Sequence, residues 1–355
     1  VKAVVAGAGF GRFYARGLRQ RPEFELVGIL GRGGPRSAAL AGELGVPCYS
    51  SVGELPPDVR VACVVVRAGV VGGRGSELAA ELLARGVHVL QEQPVHHDEA
   101  ARCLRLAREH GVQYQVNAFY PHLEPVARFL AAAARLRTAG APLFLDAACA
   151  VQVAYPMADL LARTLGGLRP WALEALPAPG PALRALADGP APFRTVQGVV
   201  AGVPVTLRVQ NEINPDDPDN HGHFLHRLTL GLPGGTLALA DTHGPVVWTP
   251  RLHLGPGGEP SGPQLDLPTS ELLGPPGLGS YTDVFTRAWP AAAAAALGGL
   301  HRAITRGADP LREGQLLLAT CRFWQELTAR LGQPDLVRGA DPDPVAAHRL
   351  LEATP

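Results

Sequence analysis

The chain has 355 residues, 46% apolar and 18% charged, and its 32 basic side chains balance 32 acidic ones. That length exceeds one ordinary core and suits two domains, and zero net charge without a basic stripe excludes nucleic acid as an expected partner. The five cysteines, Cys48, Cys63, Cys103, Cys149 and Cys321, lack metal-ligand spacing, a pattern that leads us to expect reduced thiols in a cytoplasmic protein.

No signal peptide is expected ahead of the first apolar strand, residues 2–6. Next comes Gly7-Ala8-Gly9-Phe10-Gly11-Arg12, and the chain turns helical from Phe13. Such a turn lets backbone approach a pyrophosphate at a helix N-terminus, so Gly7, Gly9, Phe10, Gly11 and Arg12 are expected to bind a dinucleotide. The spacing departs from the usual fingerprint: Arg12 takes the place of the third glycine, and Gly11 lies one residue earlier. A second strand, 25–30, ends in Gly31-Arg32-Gly33-Gly34-Pro35-Arg36-Ser37, where a ribose-reading acid normally stands. With no carboxylate there, Arg32, Arg36 and Ser37 are expected to grip a 2′-phosphate, selecting NADP(H) over NAD(H). The alternative is that these arginines only solvate a loop in an arginine-rich chain. Residues 61–66 read as a strand buried on both faces. It ends at Arg67, expected beside the dinucleotide, and a Gly-rich stretch leads to a helix capped by Ser76 and closed by Gly86. Gly72 to Gly75 allow either close backbone approach to the dinucleotide or a mobile surface loop.

Two further strands, 87–90 and 112–116, each stop at polar residues beside a proline: Gln91-Glu92-Gln93-Pro94 and Asn117-Ala118-Phe119-Tyr120-Pro121. Between them Ala100, Cys103, Leu104 and Ala107 recur at helical spacing, with Asp98 and Glu99 in the first turn and Gly111 after the last. A strand–helix–strand unit leaves both strands parallel, and ligands of open α/β sheets bind outside their carboxyl ends. Gln93 and Tyr120 are therefore expected to face one crevice, although a Tyr120 ring packed under the proline turn is the competing reading. Glu92 stabilises either the helix or the nicotinamide ribose. His96 and His97 read as structural residues at the helix start, with His97 near the cap. Lys2 is the only lysine, so no lysine can serve as acid, base or Schiff-base former at these strand ends, and arginine keeps its proton at any working pH.

After Pro121 a helix is expected over 122–137. Alternating runs then follow at 143–153, 195–200, 203–211, 223–232, 236–240 and 246–249, separated by turn signals. Asp159 and Arg163, one helical turn apart, read as a surface pair. His221, His223 and His226 lack a nearby cysteine or carboxylate set, so no metal site is expected. Residues 255–279 are rich in Gly and Pro and read as a long surface loop. Helices over 286–306 and 313–331 close the chain. The alanine run 291–296 is too short to span a bilayer, so a soluble protein without a membrane partner is expected. The expected fold is α/β: an N-terminal Rossmann dinucleotide-binding domain over 1–120, and over 121–355 a C-terminal α+β domain with a large, mostly antiparallel open sheet.

This plan resembles the glucose-fructose oxidoreductase and inositol dehydrogenase superfamily, whose members usually carry Glu-Lys-Pro where this chain has Glu92-Gln93-Pro94. More narrowly, Gly9-Phe10-Gly11-Arg12-Phe13-Tyr14, Val65-Val66-Arg67, Val70 to Ser76, His88 to His97 and Val116 to Pro121 are similar to thiazolinyl imine reductases of nonribosomal siderophore assembly. The resemblance is densest over residues 1–155. It implies NADPH-dependent reduction of a thiazoline carbon–nitrogen double bond to a thiazolidine, on an intermediate carried by the peptidyl carrier domain of a nonribosomal peptide synthetase. It also implies a homodimer through the second domain's sheet and puts Glu92 on the cofactor side. In the family, a tyrosine matching Tyr120 and a histidine matching Gln93 are the proposed proton donors. A carboxamide cannot surrender a proton near neutral pH, so Tyr120 becomes the leading acid and Gln93 an orienting group. The alternatives are a sugar or polyol oxidoreductase, which usually needs the missing lysine, and a non-catalytic NADP(H)-binding protein.

Overall fold

The computed structural model describes residues 1–219, 222–255, 257–258, 263–338 and 343–351; His221 and part of the 255–279 segment lie outside them. The first domain runs β1 (Lys2–Ala6), α1 (Gly11–Arg19), β2 (Glu25–Leu30), α2 (Pro35–Leu44), β3 (Cys48–Tyr49), β4 (Val61–Val64), α3 (Gly75–Ala84), β5 (His88–Glu92), α4 (His97–Glu109) and β6 (Tyr114–Asn117). Its strands pair in parallel in the order β3-β2-β1-β4-β5-β6. Both faces are covered, as parallel sheets require. Ala3 and Val5 of β1 pack with Tyr14 and Leu18 of α1, while Val4 and Ala6 pack with Leu82 and Leu83 of α3 and Leu104 of α4. The strand order reverses between β1 and β4, which fixes the ligand crevice at their carboxyl ends.

The chain continues through α5 (Glu124–Ala139), β7 (Phe144–Ala150), α6 (Ala154–Leu165), β8 (Trp171–Ala175), the short α7 (Pro181–Arg184), β9 (Phe193–Val200), β10 (Val203–Gln210), β11 (Glu212–Ile213), β12 (His226–Leu232), β13 (Gly235–Leu239), β14 (Val246–Pro250) and β15 (Glu271–Leu272). These strands, β11 excepted, form an eight-stranded sheet ordered β15-β14-β13-β12-β7-β10-β9-β8, antiparallel except where β7 meets β10. Along β10 the side chains of Val203, Val205, Leu207 and Val209 are buried while Pro204, Thr206 and Arg208 are exposed. One face therefore packs on the core and the other is open, the pattern of a half-covered sheet. The chain ends with α8 (Tyr281–Asp283), α9 (Trp289–Arg306), α10 (Pro310–Glu313), α11 (Gln315–Leu331), β16 (Asp335–Leu336) and α12 (Ala347–Leu351), with β16 pairing with β11.

Helix α9 returns to the first domain and lies against α1. A Cβ on Gly17 would stand 2.8 Å from the Pro290 carbonyl oxygen and 2.9 Å from the Ala293 Cβ, so the alanine run is what lets two helices approach closely. Among the described residues no helix is long and apolar enough to cross a membrane.

Several local expectations change. The strand expected over 143–153 stops at Ala150, and a helical turn (Val151–Val153) leads into α6. The strand expected from 223 begins at His226. Ser76 does not cap α3: Arg74 holds that position without a side-chain bond, and Ser76 Oγ donates instead to Glu99, at 2.9 Å. His96 rather than His97 caps α4, accepting the Asp98 N–H at 3.3 Å in a capping box with Glu99. Asp159 is no surface residue: it is 7% exposed, pairs with Arg163 at 2.6 Å and lines a cavity of about 210 Å³ beside β6.

Candidate active site

The turn after β1 has the shape of a phosphate cradle. Gly7 adopts φ +97°, and a Cβ there would stand 2.3 Å from the Val65 carbonyl oxygen, so only glycine fits where the turn crosses the end of β4. Above Gly9 nothing lies within 4 Å of where a Cβ would stand. Gly11 packs on Val5, with a Cβ 3.1 Å from Cγ1, and so makes the close helix–strand contact that the fingerprint assigns to its third glycine. Phe10 holds the N-cap position, and α1 starts with neither a capping side chain nor an acid in its first turn. Its free N–H groups are available to an anion. The Phe10 ring meets Phe119 at 4.9 Å and Trp289 at 5.3 Å, and the exposed Arg12 guanidinium sits 4.6 Å over Phe13.

At the end of β2, α2 begins at Pro35, so Arg36 and Ser37 lie in a helical first turn rather than a loop. Ser37 Oγ would stand 2.3 Å from a Cβ on Gly31, which closes this corner. Arg32 and Arg36 are exposed and make no ion pair or hydrogen bond among the described residues. Two unpaired guanidinium groups beside a helix N-terminus fit a dinucleotide bearing a 2′-phosphate.

After β4, Arg67 pairs with Asp219 of the second domain at 2.7 Å. Beyond Arg67, Gly72 and Arg74 are exposed, whereas Gly73 and Gly75 pack closely. A Cβ on Gly73 would stand 1.9 Å from the Arg67 carbonyl oxygen and one on Gly75 2.1 Å from that of Val66, while their N–H groups donate to Ala68 and Arg67 at 2.9 and 2.8 Å. Their close approach is to the chain's own backbone.

The ends of β5 and β6 converge with α1. Asn117 Nδ2 donates to the Tyr14 hydroxyl at 2.6 Å, and that hydroxyl donates to Glu92 Oε2. Asn117 Oδ1 also accepts the Phe119 N–H at 2.9 Å, and the Tyr120 N–H donates to the Ala118 carbonyl at 2.8 Å. Phe119 thereby closes a tight turn at φ 63° and ψ −62°, a conformation that costs a non-glycine residue about 1–3 kcal/mol. Its ring, fully buried against Phe10, Tyr14 and Trp289, holds the turn. The turn aims Tyr120, whose ring packs edge-on against Phe119 at 5.7 Å and His226 at 4.8 Å and is 7% exposed. The ring is packed as the competing reading expected, yet its hydroxyl bonds no described residue. Burial and the nearby Glu92 and Asp219 carboxylates raise the phenol above its ordinary range.

Glu92 belongs to the crevice rather than to α4. Burial pushes its carboxyl up to about 8, against the opposing pull of hydrogen bonds from Tyr14 and Gln93. Gln93 carries a buried Oε1 with no hydrogen-bond partner, an orphan acceptor of the kind that a bound ligand satisfies. Behind them Tyr114 donates to Gln91 at 2.8 Å and Gln91 to Ser76 at 3.2 Å, so the strand end is held rigidly. His226 sits between Thr242 at 2.9 Å and the Val153 carbonyl at 3.1 Å, and burial lowers its imidazole to about 4. It supports Tyr120 as a neutral ring. Among the described residues no group of His, Cys, Asp or Glu could hold a metal.

Residues 1–118 match the oxidoreductase family with an NAD-binding Rossmann fold, and residues 140–249 match the thiazolinyl imine reductase Irp3-like C-terminal domain. The chain belongs to this oxidoreductase superfamily, with an Irp3-like second domain. No curated protein matches the chain significantly. Solved structures share its fold across nearly the whole length. UDP-N-acetylglucosamine 3-dehydrogenase GnnA from Acidithiobacillus ferrooxidans is 18% identical, with 93% of this chain and 96% of that chain covered and a TM-score of 0.64. A mutant of KijD10, a 3-ketoreductase from Actinomadura kijaniata in complex with TDP-benzene and NADP, is 17% identical, with coverage of 95% and 98% and a TM-score of 0.64. An oxidoreductase from Agrobacterium radiobacter in complex with NAD+, L-tartaric acid and magnesium is 13% identical, with coverage of 92% and 94% and a TM-score of 0.64.

For an oxidoreductase of this superfamily, the cradle around Gly7, Gly9 and Gly11 fits an NAD(P) cofactor. Tyr14, Asn117 and Phe119 were not assigned roles from sequence. The string Asn117-Ala118-Phe119-Tyr120-Pro121 held the available signal, an asparagine two residues ahead of a turn, which commonly bonds its own backbone.

Proposed function

We propose that the protein is an NADPH-dependent reductase that converts a carrier-tethered thiazoline to a thiazolidine in nonribosomal siderophore assembly. The observation that carries this reading is a strand end with glutamine in place of lysine, and an unpartnered tyrosine hydroxyl just after the neighbouring strand, in a chain whose second domain is Irp3-like. NADPH, when bound, supplies the hydride. Gly7, Gly9, Phe10, Gly11 and Arg12 hold its pyrophosphate side, Arg32, Arg36 and Ser37 its 2′-phosphate, and Arg67 and Glu92 flank the remainder. Tyr120 donates its phenolic proton to the ring nitrogen, where negative charge develops as the double bond is reduced. A donor so placed typically speeds such a step by roughly 10² to 10⁴. Gln93 orients the thiazoline through its amide. The peptidyl carrier domain delivers the substrate, and the open face of the eight-stranded sheet pairs two copies of the chain.

The test is NADPH oxidation with a thiazoline thioester on a pantetheine mimic, run beside simple sugars and polyols. Consumption with the thiazoline alone is the expected result. Consumption with a sugar alone would favour the sugar-oxidoreductase reading, and tight NADPH binding without turnover on any thiazoline would favour a cofactor-binding protein.

A further inference from the structure

The cavity of about 210 Å³ beside β6 shares only Asn117 and Ala118 with the site described above. Its walls come chiefly from the edge strand β6 and from helices α6, α9, α10 and α11. Three features mark it as built for a ligand. Asp159, 7% exposed, is matched by Arg163, which bonds it through Nε at 2.6 Å and Nη2 at 3.3 Å and keeps Nη1 without a partner among the described residues. His122 lines the same wall, and neither of its ring nitrogens bonds a described residue. Thr320 of α11 is 2% exposed, and its hydroxyl has no hydrogen-bond partner. A threonine inside a helix commonly bonds back to the preceding turn, as Thr328 of the same helix does to the Trp324 carbonyl at 2.9 Å. Thr320 forgoes that bond, and an orphan hydroxyl at a cavity wall is a group that a bound molecule satisfies. The volume far exceeds what one bridging water fills.

The charges around this cavity cancel. Arg163 lines it and Arg302 acts on its His122, while Asp159 and Glu313 line it with carboxylates. Arg302 and Glu313 are exposed, and neither side chain makes an ion pair among the described residues. Burial, helped by the two arginines, lowers His122 to about 4, so its neutral ring leaves the balance unchanged. A lone anion here would meet two carboxylates and a lone cation two guanidinium groups, whereas a zwitterion pairs with both signs. Leu90, Val116 and Leu317 complete the wall with apolar surface. We propose that the cavity binds a small free amino acid with an aliphatic side chain, its carboxylate held by Arg163 Nη1 and the Thr320 hydroxyl and its ammonium by Glu313 and Asp159. Binding here does not depend on the chemistry at Tyr120.

Saturation-transfer NMR titration of the full chain with L-valine, isovalerate and isobutylamine tests this. The second and third probes are L-valine without its ammonium and without its carboxylate. L-Valine should bind with a dissociation constant of about 1 mM or tighter, and each of the others at least about tenfold more weakly. Thr320→Val keeps the shape of the side chain and removes a hydroxyl that bonds nothing in the protein, so the fold is retained. It should weaken L-valine binding by about 3- to 10-fold. Glu313→Gln, at an exposed position, should weaken L-valine by a similar factor and leave isovalerate unchanged. No saturable binding of L-valine, or an affinity that stays the same in Thr320→Val, would overturn the site. Isovalerate or isobutylamine binding as tightly as L-valine would overturn the amino-acid assignment.

Discussion

On the proposed reading, Arg32, Arg36 and Ser37 at the end of β2 select NADPH over NADH. Each charge-assisted hydrogen bond to a phosphate contributes about 1.5–3 kcal/mol. Arg32→Ala or Arg36→Ala is therefore expected to weaken NADPH binding by about 10- to 100-fold while leaving NADH binding little changed. Fluorescence titration with both cofactors measures this, and equal losses for the two would remove the 2′-phosphate from the account. The missing carboxylate and the two arginines were legible in the sequence. Their setting was not, because Pro35 and the glycines before it read as a loop, whereas Pro35 in fact opens α2 at the position where its missing N–H costs nothing. The same limit hid the chain from Asn117 through Tyr14 to Glu92. No spacing rule brings together residues 103 and 78 positions apart.

Among the elements, those with a clear period were legible and those buried all round were not. Helix α4 shows its buried face at Ala100, Cys103, Leu104 and Ala107, and its existence follows from that spacing. Helix α6 buries every residue from Ala154 to Leu165 except Arg163, so it has no polar face to reveal a 3.6-residue repeat. The residues just before it, Val151–Val153, read as the tail of the strand over 143–153 and instead form the helical turn that leads into α6. Helix α9 was legible as a helix but not as the partner of α1. Gly17 is the point of closest approach, and Gly17→Val is expected to cost about 1–3 kcal/mol from overpacking, more than the few tenths gained in helix propensity. Urea denaturation measures it. An unchanged midpoint would show that the two helices part without cost.

Across the whole molecule, the first sheet brings the ends of β1, β2, β4, β5 and β6 to one edge, and α9, with the Arg67–Asp219 pair, ties the second domain to it. The overall plan followed from glycine turns and strand periodicity, while the parallel β7–β10 pair, joining strands far apart in sequence, left no local mark. Burial also sets a pH limit. His122 and His226 are lowered from 6.5 to about 4, so the unfolded chain binds more protons than the folded one between those values. Their contribution to stability is present above pH 6.5 and lost as pH falls through about 4. Thermal midpoints should drop across that window, and less so in His122→Gln; an identical drop in the variant would assign the acid sensitivity elsewhere.

The most direct test of Tyr120 as the proton donor is stopped-flow NADPH consumption with the pantetheine-linked thiazoline, comparing wild type, Tyr120→Phe and Gln93→Ala. Loss of the phenol should slow the first turnover by roughly 10² to 10⁴, and loss of the carboxamide far less. Equal, small losses from both substitutions would contradict the assignment.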